Sequence, residues 1–193
     1  MDPIEEFRAL FARAQAVDRT RLPDPTAMSL ATVGIDGSPS VRIVLLKGVD
    51  ERGFVFFTNL NSRKGRELLA TPRAALCFYW PALEMQIRIE GVVESVSDAE
   101  ADAYFASRAR ESQIGAWASE QSEPLASMDE LRARVAAIED LYANQPVPRP
   151  PHWTGRRVRP ERIEFWHAGE HRLHERRLFE RDGDRWTLLR LFP

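Results

Sequence analysis

The chain has 193 residues, a formal net charge of −2 and one cysteine, Cys77. Its length and its 44% hydrophobic content are typical of a single soluble globular domain, and no apolar run approaches the ~20 residues that span a bilayer. One cysteine excludes an internal disulfide and a cysteine-based zinc cluster, and the near-neutral charge argues against a nucleic-acid-binding protein. Together with an acidic N-terminus unlike a secretory signal, these features predict a cytoplasmic protein.

Hydrophobic periodicity and turn residues divide the chain into predicted helices and strands. The predicted helices cover 3–18, 62–71, 97–110 and 127–144. The predicted strands cover 27–33, 41–49, 54–58, 74–80, 85–96, 157–167, 171–181 and 185–191. Capping-box patterns begin the third and fourth helices at Ser97 and Ser127. Tight turns such as Asp36-Gly37 join the first three strands, which indicates an antiparallel meander.

Four prolines between residues 146 and 151 form a stiff connector before the last three predicted strands. A C-terminal segment of about 40 residues is small for an independent fold, so we expect one domain over residues 1–193. Its parts are an N-terminal helix segment (1–21), a central barrel (22–145) and C-terminal strands (152–193). The expected fold class is mainly β with helices (α+β): a β-barrel or twisted sheet of about eight strands with peripheral helices.

Two segments in the first half have the composition of a ligand site. The strand Arg42–Lys47 has a cation at each end of four apolar residues, so it could lie along a flat apolar ligand or be an ordinary core strand. The segment Thr58–Lys64 lies where a strand passes into a helix, and its free backbone N–H groups, Arg63 and Lys64 suit a phosphate. Helix capping with a solvated basic turn is the alternative. Lys47 and Lys64 are also the only lysines among 27 basic residues, for which codon bias is the simplest explanation.

The segment Glu164–Arg176 is the densest polar and aromatic stretch of the chain. If 171–181 is a strand, Arg172, His174 and Arg176 share one face, and three such groups suit an anionic or electron-rich ligand. A solvated basic strand is the alternative. All four histidines follow residue 150, but their spacing predicts no metal site.

Taken in order, these segments closely resemble the FMN-dependent pyridoxine (pyridoxamine) 5′-phosphate oxidase family. The resemblance covers nearly the whole chain, from Leu22 to Pro193. The motifs that carry it are Asp24–Met28, Arg42–Lys47, Phe57–Asn59, Ser62–Lys64, Arg110–Trp117, Gln121-Ser122, Ile163–Trp166 and Arg172–Arg176. It implies a split β-barrel and a homodimer with FMN in the cleft between subunits. In that arrangement 22–145 form the flavin-binding barrel and 152–193 complete the active site at the dimer interface.

The resemblance also implies which residues bind each ligand. The residues implied to bind FMN are Arg42, Ile43, Val44, Leu45, Leu46, Lys47, Phe57, Thr58, Arg63, Lys64, Gln86, Gln121, Ser122, Trp166 and Arg176. The residues implied to bind the substrate are Lys47, Tyr104, Arg108 and Ser112 at its phosphate and Arg172 and His174 over its ring. Arg172 and His174 are the implied catalytic residues, and Asp24 is a weaker candidate for proton handling.

The implied reaction converts pyridoxamine 5′-phosphate and pyridoxine 5′-phosphate into pyridoxal 5′-phosphate, in vitamin B6 biosynthesis and salvage. A hydride equivalent passes from C4′ of the substrate to N5 of FMN, and O2 then reoxidises the flavin and becomes H2O2. Two alternatives stay open. One is a split-barrel reductase that uses FMN or a deazaflavin on a different substrate, and the other is a non-enzymatic carrier of B6 phosphates.

The chain departs from the family pattern at several positions. Phe57 stands where many members have tyrosine, and Met85 stands where arginine is common. Thr154 and Arg156 replace the usual glycine and aromatic residue in the motif Trp153–Arg157. The N-terminal extension is short, so we expect any clamp that it forms over the substrate to be reduced. These differences bear on affinity and substrate preference more than on the reaction.

Overall fold

Helices and strands occur close to where the hydrophobic periodicity predicts them. The computed structural model describes residues 2–193, with five α-helices and nine β-strands in that range. The helices are α1 (Pro3–Gln15), α2 (Arg63–Ala70), α3 (Asp98–Ala106), α4 (Arg110–Ala118) and α5 (Met128–Leu141). The strands are β1 (Ala27–Val33), β2 (Pro39–Leu45), β3 (Gly48–Asp50), β4 (Gly53–Asn59), β5 (Arg73–Trp80), β6 (Met85–Ser95), β7 (Trp153–His167), β8 (Glu175–Asp182) and β9 (Arg185–Arg190). None of these helices is both long and apolar enough to cross a bilayer.

The strands form one antiparallel sheet that closes into a split barrel. They follow the order β2-β1-β5-β6-β7-β4-β3, and β8 and β9 continue outward from β7. The two end strands, β2 and β3, are consecutive in the chain and are joined through Leu46 and Lys47. Leu46 N donates to Thr26 O (2.9 Å), and Lys47 N donates to Val55 O (2.8 Å). The sheet therefore curls until its ends meet at this link, which confirms the expected split barrel with peripheral helices.

One sequence prediction about these strands is wrong. The predicted strand over 41–49 is two strands, because the chain leaves the β1 ladder at Leu46 and enters the β4 ladder at Lys47. The antiparallel order of the first three predicted strands is present, since β2 pairs with β1 and β3 pairs with β4. Tight turns determine these two hairpins, but the break between β2 and β3 depends on how the whole sheet closes.

The longest strand, β7, connects the barrel to the C-terminal hairpin. Its first half pairs with β4 and its second half with β8, while β6 pairs with it along both halves. A bulge at Glu90/Gly91 lies opposite Pro160, which has no N–H to give to the ladder. A Cβ on Gly91 would lie 2.0 Å from Arg159 O, so only glycine fits this close approach. Because pairing with β4 extends it, β7 begins at Trp153 and not at the predicted residue 157.

Helix α1 packs onto the aromatic core of the barrel. Phe7 is fully buried, and its ring centroid lies 4.8–5.9 Å from the rings of Phe54, Phe78 and Trp80. Burial of a side chain of this size contributes roughly 1.5–3 kcal/mol to stability. The apolar stripe predicted for this helix from its spacing is therefore the face that docks on the sheet.

Helices α3, α4 and α5 form a second layer beside the barrel. Their shared core contains Phe105, Ile114, Val147 and Trp153. Helix α4 was not predicted, and the prediction extended α3 to residue 110. Helix α3 ends at Ala106, and Gln113 Nε2 donates to Phe105 O (2.9 Å), which satisfies a carbonyl at this helix end. This contact joins two helices across the bend between α3 and α4, so the periodicity of either helix alone does not predict it. The capping box predicted at Ser97 is present.

Candidate functional site

A cavity of about 510 Å³ lies among β2, β4 and helices α2, α3 and α4. The predicted site residues that line it are Ile43, Val44, Leu45, Lys47, Phe57, Thr58, Lys64, Tyr104, Arg108, Ser112 and Gln121. The lining residues without a predicted role are Asn59, Gly115, Ala116, Ser119 and Trp153. Asn59, Gly115 and Ala116 lie within motifs that carry the family resemblance, so the sequence could have identified them as site residues. Ser119 and Trp153 reach the cavity through the packing of α4 and β7, which no local pattern predicts.

A second cavity, of about 400 Å³, adjoins the first and contains the basic residues near α2. The two cavities share the lining residues Ile43, Lys64 and Gln121. The predicted FMN-binding residues on the second cavity are Arg42, Ile43, Arg63, Lys64, Gln121 and Ser122. Ser122 has a left-handed backbone (φ 77°), a conformation that is uncommon for residues with side chains and is concentrated at functional sites.

Lys64 is the buried centre of this basic group. Its Nζ donates to Gln121 Oε1 (2.8 Å) and to Ser62 Oγ (3.2 Å). Burial, and then the nearby charge of Arg42, lowers the pKa of Lys64 to about 8. Ser62 is also the N-cap of α2, so the positive end of the helix dipole lies here too. A phosphate would offset the repulsion among these cations, and the donor set therefore fits the phosphate of FMN.

Three stacked rings support the other polar groups of the main cavity. The Phe57 ring lies 4.0 Å from Tyr104 and 5.0 Å from Trp153, at interplanar angles of 17° and 11°. The Arg108 guanidinium lies 4.9 Å from the Trp153 ring centroid. Burial lowers the pKa of Arg108, and its Nη1 has no hydrogen-bond partner within residues 2–193. A buried guanidinium N–H without an acceptor is costly, and an anionic ligand would supply that acceptor.

The other predicted FMN ligands form a separate group on β6, β7 and β8. Gln86, Trp166 and Arg176 are paired in register across these strands, and the His174 ring lies 4.6 Å from Trp166. A bond from Arg176 Nε to Oε1 of the buried Glu164 (2.7 Å) raises the pKa of Arg176. In the part of the chain that the structure describes, none of these side chains lines either cavity. One copy of the chain therefore holds the predicted site in two parts.

The prediction that 171–181 form one strand is wrong, because β8 begins at Glu175. The residues before it form a short turn, so the alternation that would place Arg172, His174 and Arg176 on one face does not apply. The structure brings His174 and Arg176 to Trp166, through the ring contact and the strand register respectively.

Arg172 lies in the turn before β8 and is exposed to solvent. The backbone of this turn is left-handed at His171 (φ 54°) and Arg172 (φ 64°). Glycine is the residue that usually marks such a conformation in a sequence, and neither of these residues is glycine. Gly169 N donates to His174 Nδ1 (3.2 Å), so His174 closes the turn that carries Arg172. Such backbone strain is concentrated at ligand sites.

Two more residues of the predicted site lie outside both cavities. Leu46 is buried in the barrel core, so its side chain lines neither of them. Asp24 forms a local turn, in which its Oδ1 accepts from Thr26 N (2.9 Å) and Thr26 Oγ1 (2.6 Å). Burial raises the pKa of Asp24, but these bonds outweigh it and the net pKa is lowered. Asp24 is therefore an ionised turn residue, a state that does not suit a proton donor.

Comparison with known proteins gives the family. Residues 15–142 match the family described as pyridoxamine 5′-phosphate oxidase, and residues 153–193 match the pyridoxine 5′-phosphate oxidase C-terminal dimerisation region. The chain belongs to the pyridoxamine 5′-phosphate oxidase family. A pyridoxine/pyridoxamine 5′-phosphate oxidase from Myxococcus xanthus (strain DK1622) is 62% identical over 192 residues, which cover 100% of this chain and 92% of that protein. One from Thermosynechococcus vestitus is 58% identical and covers 100% of this chain and 89% of its own length.

Solved structures give the same fold. PhzG from Burkholderia lata 383, crystallised in complex with tetrahydrophenazine-1-carboxylic acid, has a TM-score of 0.92 and 36% identity over 100% of this chain and 93% of its own. A pyridoxamine 5′-phosphate oxidase-related, FMN-binding protein from Nostoc punctiforme PCC 73102 shares the fold, with a TM-score of 0.76 and 18% identity. The segment that matches the dimerisation region contains Trp166, His174 and Arg176, the group that lies away from the cavities.

Proposed function

We propose that the chain is an FMN-dependent oxidase that converts pyridoxamine and pyridoxine 5′-phosphates into pyridoxal 5′-phosphate. The observation that carries this proposal is the presence of two basic groups on adjoining cavities. One group consists of Arg42, Arg63 and Lys64, and the other consists of Lys47 and Arg108 with Tyr104 and Ser112. Two such groups suit two phosphates, one on a cofactor and one on a substrate. The apolar segment Ile43–Leu45 lines the same space, as a flat ring system requires.

The basic residues at α2 would hold the phosphate of FMN. Guanidinium groups bind phosphate oxygens in pairs, and the ammonium of Lys64 adds a compact charge. Bound FMN supplies the redox chemistry, namely uptake of a hydride equivalent from C4′ of the substrate and its transfer to O2, which becomes H2O2. The protein has to hold C4′ in place against the flavin, and this positioning is its main contribution to the rate.

The group around Arg108 would hold the substrate phosphate. The unpaired Nη1 of Arg108, the Tyr104 phenol and the Ser112 hydroxyl are donors to a dianion, and the exposed Lys47 adds a charge. The stack of Phe57 with Tyr104 holds this side of the cavity before the ligand arrives, which lowers the entropy lost on binding. Phe57 acts in the stack through its ring, so the absence of a tyrosine hydroxyl leaves this support unchanged.

A homodimer would join the two parts of the site. Gln86, Trp166 and Arg176 lie on the neighbouring paired strands β6, β7 and β8, so they cannot move to the cavity of their own copy without breaking ladders. The match of 153–193 to a dimerisation region supports a second copy as the source of these residues. The exposed apolar side chains Val41 (67%) and Ile43 (63%) on β2 give that copy a surface to cover. Arg172 would then lie over the substrate ring and orient C4′, with His174 holding its turn.

Absorbance and product assays test the reaction. The purified protein should carry FMN, and in air it should release H2O2 and pyridoxal 5′-phosphate from either substrate. An FMN-loaded protein that forms no pyridoxal 5′-phosphate from either compound would refute the proposal. Preferential binding of a deazaflavin, without consumption of O2, would support a reductase instead.

Complementation tests the shared site. Arg108→Met damages the cavity side and Arg172→Ala damages the C-terminal side, and each variant alone should lose most of its activity but still bind FMN. In a heterodimer of the two variants, one of the two sites contains only unaltered residues. Random pairing in a co-expressed mixture should therefore restore about a quarter of wild-type activity. No recovery in heterodimers isolated through two different tags would show that each copy builds its own site.

A further inference from the structure

A buried carboxylate, Glu67 on α2, lies behind the basic residues of the second cavity. Its side chain lines neither cavity and is only 9% exposed. Its Oε2 accepts from Thr32 Oγ1 (2.5 Å) and Ser40 Oγ (2.6 Å). Two arginines complete its contacts, because Arg42 Nη2 lies 3.3 Å from Oε2 and Arg63 Nε lies 2.8 Å from Oε1. Donors from four residues on three elements therefore converge on one carboxylate.

The charge of Glu67 is unexpected beside an anion site. Burial raises the pKa of Glu67, but the bonds from Ser40, Thr32 and the two arginines outweigh burial and lower the pKa to about 2. The carboxylate is thus ionised at neutral pH, and by Coulomb's law it repels any phosphate bound to the same arginines. The charge of Glu67 by itself would weaken phosphate binding, so a favourable effect of Glu67 on the same site must offset this repulsion.

The favourable effect is that Glu67 holds the two arginines in position. Glu67, Thr32 and Ser40 hold Arg42 on one side, so its guanidinium has one defined position at the cavity. The Arg63 side chain is 58% exposed, and its bond to Glu67 uses Nε, which leaves both terminal NH2 groups for a ligand. Without the carboxylate, three neighbouring cations would repel one another and the mobile Arg63 would turn into solvent.

We propose that Glu67 is a positioning residue for the phosphate of FMN, because it holds Arg42 and Arg63 in the arrangement that binds the phosphate. The inference rests on the proposed function, in which these two arginines are phosphate ligands. Holding two long side chains in place before binding removes an ordering cost that otherwise falls on the complex.

Glu67→Gln separates positioning from charge, because the two effects have opposite signs. Loss of a negative charge should tighten phosphate binding, whereas loss of positioning should weaken it. We expect FMN to bind about tenfold more weakly to Glu67→Gln, as two side chains must be ordered on binding. Riboflavin, which lacks the phosphate, should bind to wild type and variant equally. Fluorescence titration of both flavins measures this ratio, and Glu130→Gln, which breaks an exposed pair with Arg134 on α5, is the matched control.

Each outcome of this experiment decides a specific point. Tighter FMN binding to Glu67→Gln, or equal weakening of FMN and riboflavin, overturns the positioning role. Failure of the wild-type protein to prefer FMN over riboflavin overturns the phosphate site itself, and with it the proposed function. If Glu67→Gln does not fold, Thr32→Val removes a hydroxyl that bonds both the carboxylate and Arg42, without changing any charge. That variant should also bind FMN more weakly without a change for riboflavin, and an unchanged FMN affinity would refute the proposal.

Discussion

Substitution of Arg108 tests the substrate-phosphate site most directly. Nη1 of Arg108 is buried without a partner in the described chain, so its hydrogen-bonding capacity is unused until an anion binds. A hydrogen bond to a charged group contributes about 1.5–3 kcal/mol. At about 1.4 kcal/mol per factor of ten, Arg108→Met should lower kcat/KM for pyridoxamine 5′-phosphate by about 10- to 150-fold.

The stability of the Arg108→Met protein should change little. Removal of an unpaired buried N–H recovers about 1–3 kcal/mol. Loss of the contacts between the guanidinium and the rings of Trp153 and Phe105 costs about 0.5–2 kcal/mol. The two nearly cancel, so the free energy of unfolding should stay within about 1 kcal/mol of wild type. Arg110→Met is the matched control, since Arg110 donates to Tyr142 O (2.5 Å) and lines neither cavity. It should lose about 1 kcal/mol of stability and keep its activity.

Release of H2O2 at varied substrate concentration measures the effect on activity, and urea unfolding measures the effect on stability. Pyridoxamine, which lacks the phosphate, is the informative comparison substrate. Its turnover should be equally slow in wild type and Arg108→Met, because the substitution removes a contact that this compound cannot make. An Arg108→Met protein that keeps its kcat/KM for the phosphorylated substrate, or that loses activity equally with both compounds, would refute the assignment.

Two further predictions concern the cofactor site and the packing beside it. Burial lowers the pKa of Lys64 to about 8, and a phosphate dianion would raise it again, so FMN binding should take up a proton above that pH. FMN affinity should therefore fall as the pH rises above 8, by at most about tenfold per pH unit, and Lys64→Met should remove this dependence in a fluorescence titration. A Cβ on Gly155 would lie 2.6 Å from Val96 Cγ2 and 2.8 Å from Phe57 Cε1, so Gly155→Ala should lose about 1–3 kcal/mol in urea unfolding. Gly115 on α4 has no such neighbour within 4 Å, so Gly115→Ala should gain about 0.5–1 kcal/mol, and equal shifts in the two variants would contradict this packing.

The fold could be predicted where local chemistry determines it. Apolar spacing predicted α1, and a capping box predicted the start of α3 at Ser97, because both depend on residues within a few positions. The separation of β2 from β3 at Leu46 could not be predicted, since it depends on where the two ends of the sheet meet. Helix α4 was missed for a similar reason: the bond from Gln113 to the end of α3 determines the bend before it.

In the candidate site too, the sequence predicted residues in local motifs and missed those that depend on distant partners. Eleven of the residues that line the main cavity are ones that the sequence predicted for the site. Glu67 was missed because its partners Thr32 and Ser40 lie on β1 and β2, 35 and 27 positions away. The strand predicted through Arg172 was wrong because the chain forms a turn there, with a left-handed backbone at His171 and Arg172 and a closing bond from Gly169 N to His174 Nδ1. Neither residue is a glycine, so nothing in the sequence indicated that backbone conformation.

The two lysines of the chain show how structure changes the interpretation of composition. Lys47, Lys64 and Arg108 are the basic residues that line the main cavity, so both lysines of the sequence lie there. Lys64 is buried and bonded to Gln121 Oε1 (2.8 Å), and a planar guanidinium would have to displace that amide. Lys47 is exposed and has room for the larger group. We therefore expect Lys64→Arg to weaken FMN binding at least about tenfold, the equivalent of one charge-assisted hydrogen bond, and Lys47→Arg to leave it unchanged. Normal FMN affinity in the Lys64→Arg protein would leave codon bias as the explanation for both positions.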